Sequence, residues 1–235
     1  MGMVRAGQVQ ATRELLMTAA ERLFAEHGVA AVSARQIGEA AGQGNTAAVG
    51  YHFGTKTELV RAILRKHTAD VERIRARMAD EAELTEAAHA EAAHAGSSQA
   101  GVRHWVSCLV RPATDHLAAL GAPTWFARFG AQALNDPRLR SLLMEEAGVT
   151  PAMARIHRGL NRRLAALPAT VRAERDDMAL ALIVHVIAEH ERALAEQAGG
   201  LDPADSWNDA ATGLIDAIVG LYTAPVTSTA SPRER

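Results

Sequence analysis

Residues 33–53 read SARQIGEAAGQGNTAAVGYHF, and this stretch decides the fold of the chain. Ser33 lies three positions before Gln36, which is the spacing of a capping box at a helix N-terminus. Gly42 and Gly44 then interrupt the helix-forming residues, and glycine readily adopts the left-handed backbone that ends a helix. The stretch therefore predicts two small helices that meet at a tight turn.

The spacing within the second small helix indicates which of its side chains face inward. Val49 and Phe53 are four residues apart, so we expect both to pack onto Ile37 and Ala41 of the first helix. The residues expected on the outward face are Thr46, Ala47, Gly50 and Tyr51. Two short helices around a glycine turn are typical of the helix-turn-helix, whose second helix enters the major groove of DNA.

Helical periodicity continues on both sides of this motif. It predicts a helix over residues 11–27, and a longer one from Lys56 to about residue 82, begun by a capping box at Thr55 and Glu58. Further helices are expected over residues 102–120, 123–134, 137–147, 151–166, 171–197 and 203–222. No segment shows the sustained alternation of a β-strand, so the sequence predicts an all-α protein.

The composition favours a protein of the cytoplasm. The chain has 235 residues, of which 48% are hydrophobic, and its single cysteine, Cys108, cannot form an internal disulfide. No N-terminal apolar run resembles a signal peptide. The longest apolar stretch, residues 178–188, is far shorter than the roughly 20 residues that cross a bilayer. We therefore expect cytoplasmic localisation and no membrane partner.

The charge is unevenly distributed along the chain. The net charge is −2, yet residues 1–67 hold eight Lys and Arg against five acidic residues. A mildly basic N-terminal part on an acidic body suits a protein that presents one end to an anion such as DNA.

The stretch at residues 19–63, AAERLFAEHGVAAVSARQIGEAAGQGNTAAVGYHFGTKTELVRAI, resembles the N-terminal DNA-binding domain of the TetR family of regulators. The most specific parts of the resemblance are AERLFAEHG, SARQIGEAAG and YHFGTKTEL. It implies an all-helical homodimer whose small N-terminal domain binds a palindromic DNA operator. It also implies a larger C-terminal domain that binds a small effector, which releases the DNA.

The resemblance also implies roles for single residues. Arg35 matches a position that reaches a base or a phosphate, and Lys56 matches a lysine that contacts phosphate at the start of the fourth helix. The other predicted DNA-binding residues are Asn45, Thr46, Ala47, Gly50, Tyr51 and His52. Asn45 or Thr46 is also expected to cap the second helix of the motif. The chain departs from the family in a turn one residue longer than the commonest pattern and in Gly50, where many members carry tyrosine.

These predictions divide the chain into three parts. Residues 1–54 form the DNA-binding domain, residues 55–222 form the effector-binding and dimerisation domain, and residues 223–235 form a disordered tail. The sequence EAAHA occurs twice in succession, over residues 86–95, and is followed by Gly96 and two serines. This segment predicts a solvated helix end and a flexible connection.

An effector cavity is expected among apolar side chains of the second domain. Pockets between the helices of a bundle are mainly apolar with few polar groups, which favours a small apolar or amphipathic effector. The candidate lining residues are Trp105, Trp125, Phe126, Phe129, Met144, Met153, His157 and His185. The alternative for each of them is an ordinary place in the hydrophobic core.

The last two predicted helices carry more apolar surface than one packing face needs. A two-fold dimer would pair them with their copies into a four-helix bundle. The candidate interface residues are Met178, Leu182, Val186, Trp207, Leu214 and Ile218. The alternative is that these residues complete the core of a monomer.

The sequence predicts no metal site, no cofactor and no enzymatic activity. His89 and His94 are five residues apart, as are His185 and His190, whereas two ligands on one helix face need a spacing of four. No nucleophile elbow or phosphate-binding glycine loop is present. The leading hypothesis is therefore an effector-released repressor. The alternatives are a helical-bundle enzyme or small-molecule binder without a DNA role, and a DNA-binding regulator without an effector.

Overall fold

The computed structural model describes residues 2–45, 47–91, 98–147, 150–196 and 203–227. All regular structure within these ranges is helical, which confirms the predicted all-α class. The helices there are α1 Gly2–His27, α2 Ala34–Ala40, α3 Ala48–Phe53, α4 Lys56–Glu91, α5 Ser98–Leu120, α6 Phe126–Asn135, α7 Pro137–Ala147, α8 Pro151–Arg163, α9 Ala169–Glu196 and α10 Pro203–Thr223.

Local capping explains where several helices begin and end. α1 ends at Gly28, whose φ of 81° lies in the left-handed region. The Thr55 hydroxyl accepts a hydrogen bond of 3.1 Å from the Glu58 amide at the start of α4. The Thr150 hydroxyl accepts one of 3.1 Å from the Met153 amide at the start of α8, where Pro151 needs no partner for a missing N–H.

The buried apolar residues form two clusters that share α4. The first joins α1, α2, α3 and the first turns of α4 to α6 and α7, and it includes Phe24 and Phe129, whose rings stack at 5.9 Å. The second joins the later turns of α4 to α5, α8, α9 and α10, and it includes the fully buried Trp105. α4 therefore connects the helix-turn-helix to the body of the molecule.

The predicted domain boundary between residues 54 and 55 falls just before α4 begins. The first core nevertheless extends across this boundary, because Leu59, Val60, Ile63 and Leu64 of α4 are all fully buried in it. The division into residues 1–54 and 55–222 stays a prediction about independent units.

Several predicted helix boundaries were wrong. α1 begins at Gly2 instead of residue 11 and α4 continues to Glu91 instead of residue 82, because the sequence of these added turns has no apolar stripe to mark them. α6 begins at Phe126, three residues after the predicted Pro123. α3 begins at Ala48 and its N-cap residue is Ala47, not Asn45 as the sequence had allowed.

Two predicted features fall largely or partly outside the described residues. The connection after the EAAHA repeat includes residues 92–97, and the predicted disordered tail includes residues 228–235. Of that tail, Thr223 still belongs to α10.

Candidate nucleic-acid interface

The first helix of the motif, α2, begins as its sequence predicts. The Gln36 amide donates to the Ser33 hydroxyl at 3.2 Å, and the Ser33 amide donates to the Gln36 side-chain oxygen at 2.8 Å. These two bonds are the reciprocal pair of a capping box, which is therefore confirmed. They fix the direction in which α2 leaves the preceding loop.

The turn between α2 and α3 rests on glycine where glycine was expected. Gly42 has a φ of 68°, a left-handed conformation that side chains with a Cβ rarely adopt. The Gln43 amide donates back to the Gly38 carbonyl at 2.9 Å, which closes the end of α2. The Asn45 side chain accepts from the Ala47 amide at 2.9 Å and so orders the approach to α3. Thr46 lies outside the described residues.

α3 packs through one face and exposes the other. Val49 and Phe53 are buried in the same cluster as Ile37, and Ala41 packs against that cluster. The inward face predicted from the spacing is therefore confirmed. Tyr51 on the opposite side is 77% exposed. Ala47 and Gly50 are exposed as well, and a Cβ added at Gly50 would meet no atom within 4 Å.

His52 is half-buried beside Tyr51, and their rings meet edge to face at 4.9 Å. Its backbone carbonyl accepts a hydrogen bond from the Arg13 guanidinium. The same guanidinium lies 4.2 Å from the centre of the Phe53 ring. Arg13 of α1 therefore anchors the end of α3 by a hydrogen bond and a cation–π contact. Sequence analysis missed this residue, because only the folded chain brings positions 13 and 52 together.

The two cations predicted to contact DNA are held differently. Arg35 is well exposed and its Nε donates to the Glu39 carboxylate at 2.8 Å, a contact that raises the pKa of Arg35. Lys56 is half-buried, and its ammonium donates to the carbonyls of Val29 and Val32 at 2.8 and 3.0 Å. An ammonium has three donors, so one remains for another acceptor. Lys56 thus ties the start of α4 to the loop between α1 and α2.

The residues predicted to line an effector cavity do not gather in one place. Phe126 and Phe129 lie 6.4 Å apart, and Trp125 packs against the same first cluster. Trp105 belongs to the second cluster, and Met153 on α8 is half-buried. The residues that lie at the surface of the chain are Met144, His157 and His185.

The predicted dimer residues divide by helix. Met178, Leu182 and Val186 of α9 are exposed, Met178 by 52%. Trp207, Leu214 and Ile218 of α10 are instead buried in the second cluster of this one chain. The physical reason is that α10 turns its apolar face onto α5 and α9. These three α10 residues therefore complete the core of the chain, the alternative that the sequence had left open.

Two further structural findings concern other classes of site. Within the part of the chain that the structure describes, no group of three His, Cys, Asp or Glu side chains is placed to hold a metal ion. No described helix is both long and apolar enough to cross a membrane.

Comparison with known proteins agrees with the geometry of the motif. The family model for bacterial regulatory proteins of the tetR family matches residues 16–63, which contain α2, α3 and the start of α4. A second model, for the tetracyclin repressor-like C-terminal domain, matches residues 107–220. No curated protein matches the chain. The two family matches together cover more than half of the sequence, in the order expected for the two domains. The chain belongs to the TetR family of DNA-binding bacterial transcriptional regulators.

Proposed function

We propose that the chain is a repressor that binds a palindromic operator as a homodimer and leaves it when a small-molecule effector binds. The observation that carries the proposal is the exposed face of α3, where Tyr51, Gly50 and Ala47 project away from the packed Val49 and Phe53. A helix presented in this way fits the major groove. The smallness of Ala47 and Gly50 lets the α3 backbone approach the base edges closely.

The DNA-binding residues proposed are those of the sequence prediction, with two refinements. Arg35 must exchange its contact with Glu39 for DNA, which is a small change for an exposed ion pair. Lys56 donates one remaining N–H to a phosphate while it keeps its two carbonyl partners. Arg13 acts indirectly, since it positions α3 without facing the groove.

Dimerisation is proposed through the exposed face of α9. Met178, Leu182 and Val186 are four residues apart in sequence and form an apolar stripe on one side of the helix. Water-exposed stripes of this kind are found at interfaces between protein chains. A two-fold axis beside α9 would relate two copies of α3 by the symmetry that a palindromic operator has.

Effector release is proposed as a shift between two dimer states. An effector that prefers the state with mismatched recognition helices would lower the population of the operator-binding state. The predicted effector-lining residues that would couple to the DNA-binding core are Trp125, Phe126 and Phe129, because these aromatic residues of the α6 region pack on the same cluster as α3. A small apolar or amphipathic molecule suits such a lining.

Operator binding is tested with DNA from upstream of the gene and with a variant that lacks one positive side chain. Arg35→Ala is expected to weaken binding about tenfold and to reduce the slope of log affinity against log salt by about one. Fluorescence anisotropy over a series of salt concentrations measures both quantities. Arg140→Ala is the matched control, since Arg140 is an exposed arginine on α7 and is not one of the predicted DNA-binding residues. Equal affinity and slope for both variants would contradict the assignment of Arg35.

The dimer interface is tested with Leu182→Arg. Each protomer would then bury an unpaired guanidinium at the interface, so we expect the dimer dissociation constant to rise at least tenfold, roughly 1.4 kcal/mol. Sedimentation equilibrium measures this change. The matched control is Leu84→Arg, at an exposed leucine of α4, which we expect to leave the dimer intact. A Leu182→Arg protein that dimerises like wild type would exclude the α9 interface.

A further inference from the structure

Three ionisable side chains from three helices meet in the interior, outside the proposed DNA and dimer surfaces. Glu21 of α1, His67 of α4 and His116 of α5 are 8%, 3% and 4% exposed. They lie where α1 of the DNA-binding part meets the helices of the larger body. Charged and polar groups are costly to bury unless they are fully paired, so their arrangement constrains their protonation.

The three side chains form one hydrogen-bonded chain with His67 in the middle. His67 Nε2 lies 2.8 Å from a carboxylate oxygen of Glu21, and His67 Nδ1 lies 2.8 Å from His116 Nε2. The Phe126 ring covers one face of the His67 imidazole, with ring centres 3.9 Å apart and planes inclined by 18°. Both ring nitrogens of His67 are therefore engaged, and the ring has little freedom to turn.

This geometry accepts two protonation states without any movement. In the first, both imidazoles are neutral: His67 Nε2–H donates to the Glu21 carboxylate and His116 Nε2–H donates to His67 Nδ1. In the second, His67 is an imidazolium that donates through both nitrogens, and neutral His116 carries its proton on Nδ1 and accepts through Nε2. The second state holds one proton more and forms a buried ion pair with Glu21.

A further proton breaks the hydrogen bond between His67 and His116. When both imidazoles are charged, an N–H of His67 and an N–H of His116 face each other at 2.8 Å with no acceptor between them. Burial lowers the pKa of His116, and the charge of His67 lowers it further. This last protonation therefore occurs below the ordinary histidine pKa of about 6.5, and it requires α4 and α5 to separate locally.

The other charged groups nearby modulate this step without replacing it. Asp70 and Glu21 raise the pKa of His116, whereas Arg73 lowers it. The charged groups on the neighbouring helices have partners of their own. Lys66 of α4 pairs with Glu14 of α1, and Glu191 of α9 pairs with Arg128 of α6. Asp115 of α5 lies near the positive charges of Arg111 and Arg77. α6 itself covers His67 with the uncharged Phe126.

We propose that the Glu21–His67–His116 chain is a proton-sensitive link that weakens operator binding in acid. This inference rests on the proposed operator binding. Only two residues separate the end of α3 from the start of α4, and His67 holds α4 to α1 on one side and to α5 on the other. Opening the contact between His67 and His116 loosens α4 from α5 at this point, and the fraction of dimers with correctly placed α3 helices falls.

The direction in which DNA binding changes with pH distinguishes this link from the effect of surface histidines. Protonation of surface histidines makes a protein more positive, so DNA binding normally strengthens as the pH falls. For this chain we expect the opposite, a loss of at least about fivefold between about pH 7.5 and about pH 5.5. Fluorescence anisotropy with upstream DNA at constant ionic strength measures it.

His116→Gln tests the chain directly, because a glutamine amide offers His67 a polar partner that does not titrate. We expect this variant to lose the weakening in acid. His190→Gln is the matched control, since His190 is a half-buried histidine that is held by Ser206 and takes no part in the Glu21–His67–His116 chain, and burial lowers its pKa too. It should keep the wild-type profile. Wild-type binding that strengthens in acid, or equal weakening in His116→Gln, would overturn the proposal.

A second variant and a measurement without DNA keep the two proposals separate. Glu21→Gln removes a negative charge that raises the pKa of His116, so the pH midpoint of the weakening should move lower. An unshifted midpoint contradicts the link. Because the folded pKa of His116 is lowered, the unfolded chain takes up the proton first, and stability should fall as the pH drops below about 6.5. Thermal unfolding should show that the stability of His116→Gln falls less with pH than that of wild type, and an identical fall would overturn the link.

A wild-type chain that binds no upstream DNA at about pH 7.5 contradicts the proposed function instead of the link.

Discussion

Gly159→Ala is expected to lower the free energy of unfolding by about 3 kcal/mol or more. A Cβ at this position of α8 would lie 2.1 Å from Cε2 and 2.4 Å from Cδ2 of Trp105, far inside contact distance. The indole cannot swing aside, because Trp105 is fully buried and its Nε1 donates to the Glu86 carboxylate at 2.8 Å. This clash outweighs the roughly 1 kcal/mol by which alanine is the better helix former.

Chemical denaturation of wild type and variant measures the change. Gly130→Ala on α6 is the matched control, because a Cβ there would meet no atom within 4 Å. We expect it to be neutral or to stabilise the protein by up to about 1 kcal/mol. Adding Trp105→Leu to Gly159→Ala should recover part of the loss, since the smaller side chain makes room. Equal stability of the two glycine variants would mean that α8 does not pack on Trp105 as closely as described.

The parts of the structure that the sequence predicts well are those set by neighbouring residues. The capping box at Ser33 and Gln36 and the left-handed Gly42 depend on contacts within one or two helical turns. The inward face of α3 depends on the four-residue spacing of Val49 and Phe53. Such local signals are sufficient to predict the helix-turn-helix without any tertiary contact.

The parts that the sequence did not predict are set by contacts between distant residues. Leu182 and Leu214 are both leucines in long amphipathic helices, yet the first is exposed and the second is buried. Periodicity shows that a helix has an apolar face but not whether another helix of the same chain covers it. For the same reason, nothing around Lys56 in the sequence indicates that its ammonium binds the carbonyls of Val29 and Val32.

The sequence does not predict the buried Glu21–His67–His116 chain either. His67 and His116 are 49 residues apart, and each is surrounded in sequence by ordinary helix residues. Residue spacing within one helix cannot reveal this group, because Glu21, His67 and His116 come from three different helices. The folded chain also decides that both nitrogens of His67 are used within the protein.

Glu191→Gln is expected to destabilise the protein by about 3 kcal/mol, and Glu191→Ala by up to about 5 kcal/mol. The carboxylate is buried in α9 and accepts from the Ala127 and Arg128 amides at 3.2 and 2.9 Å and from the Arg128 Nε at 3.2 Å. It thereby caps α6 with a charge at its N-terminus, where a negative charge is most favourable. This long-range cap also explains why α6 begins at Phe126 and not at the predicted residue 123.

Glu191→Gln and Glu191→Ala leave different groups beside Arg128. Glutamine keeps one acceptor but turns an amide donor toward the donors of Arg128, whereas alanine leaves that guanidinium buried without its partner. Glu189→Gln, at an exposed carboxylate of the same helix that pairs with Arg192, should change the stability by less than about 0.5 kcal/mol. Denaturant unfolding compares the three variants. A change at Glu191 as small as that at Glu189 would contradict its role as the cap of α6.

Loss of this cap should also reach the DNA-binding surface, although Glu191 lies far from it in sequence. α6 carries Phe129, which stacks on Phe24 of α1, and Arg13 of the same α1 anchors the end of α3. A loosened α6 N-terminus therefore lowers the fraction of chains with α1 and α3 in their binding positions, and operator affinity falls by the same fraction. Fluorescence anisotropy with Glu191→Gln at a temperature where the protein is folded should show this loss with an unchanged salt slope, because no phosphate contact has been removed. A loss accompanied by a reduced slope would instead mean that a contact between a cation and a phosphate had been lost, and would contradict this route.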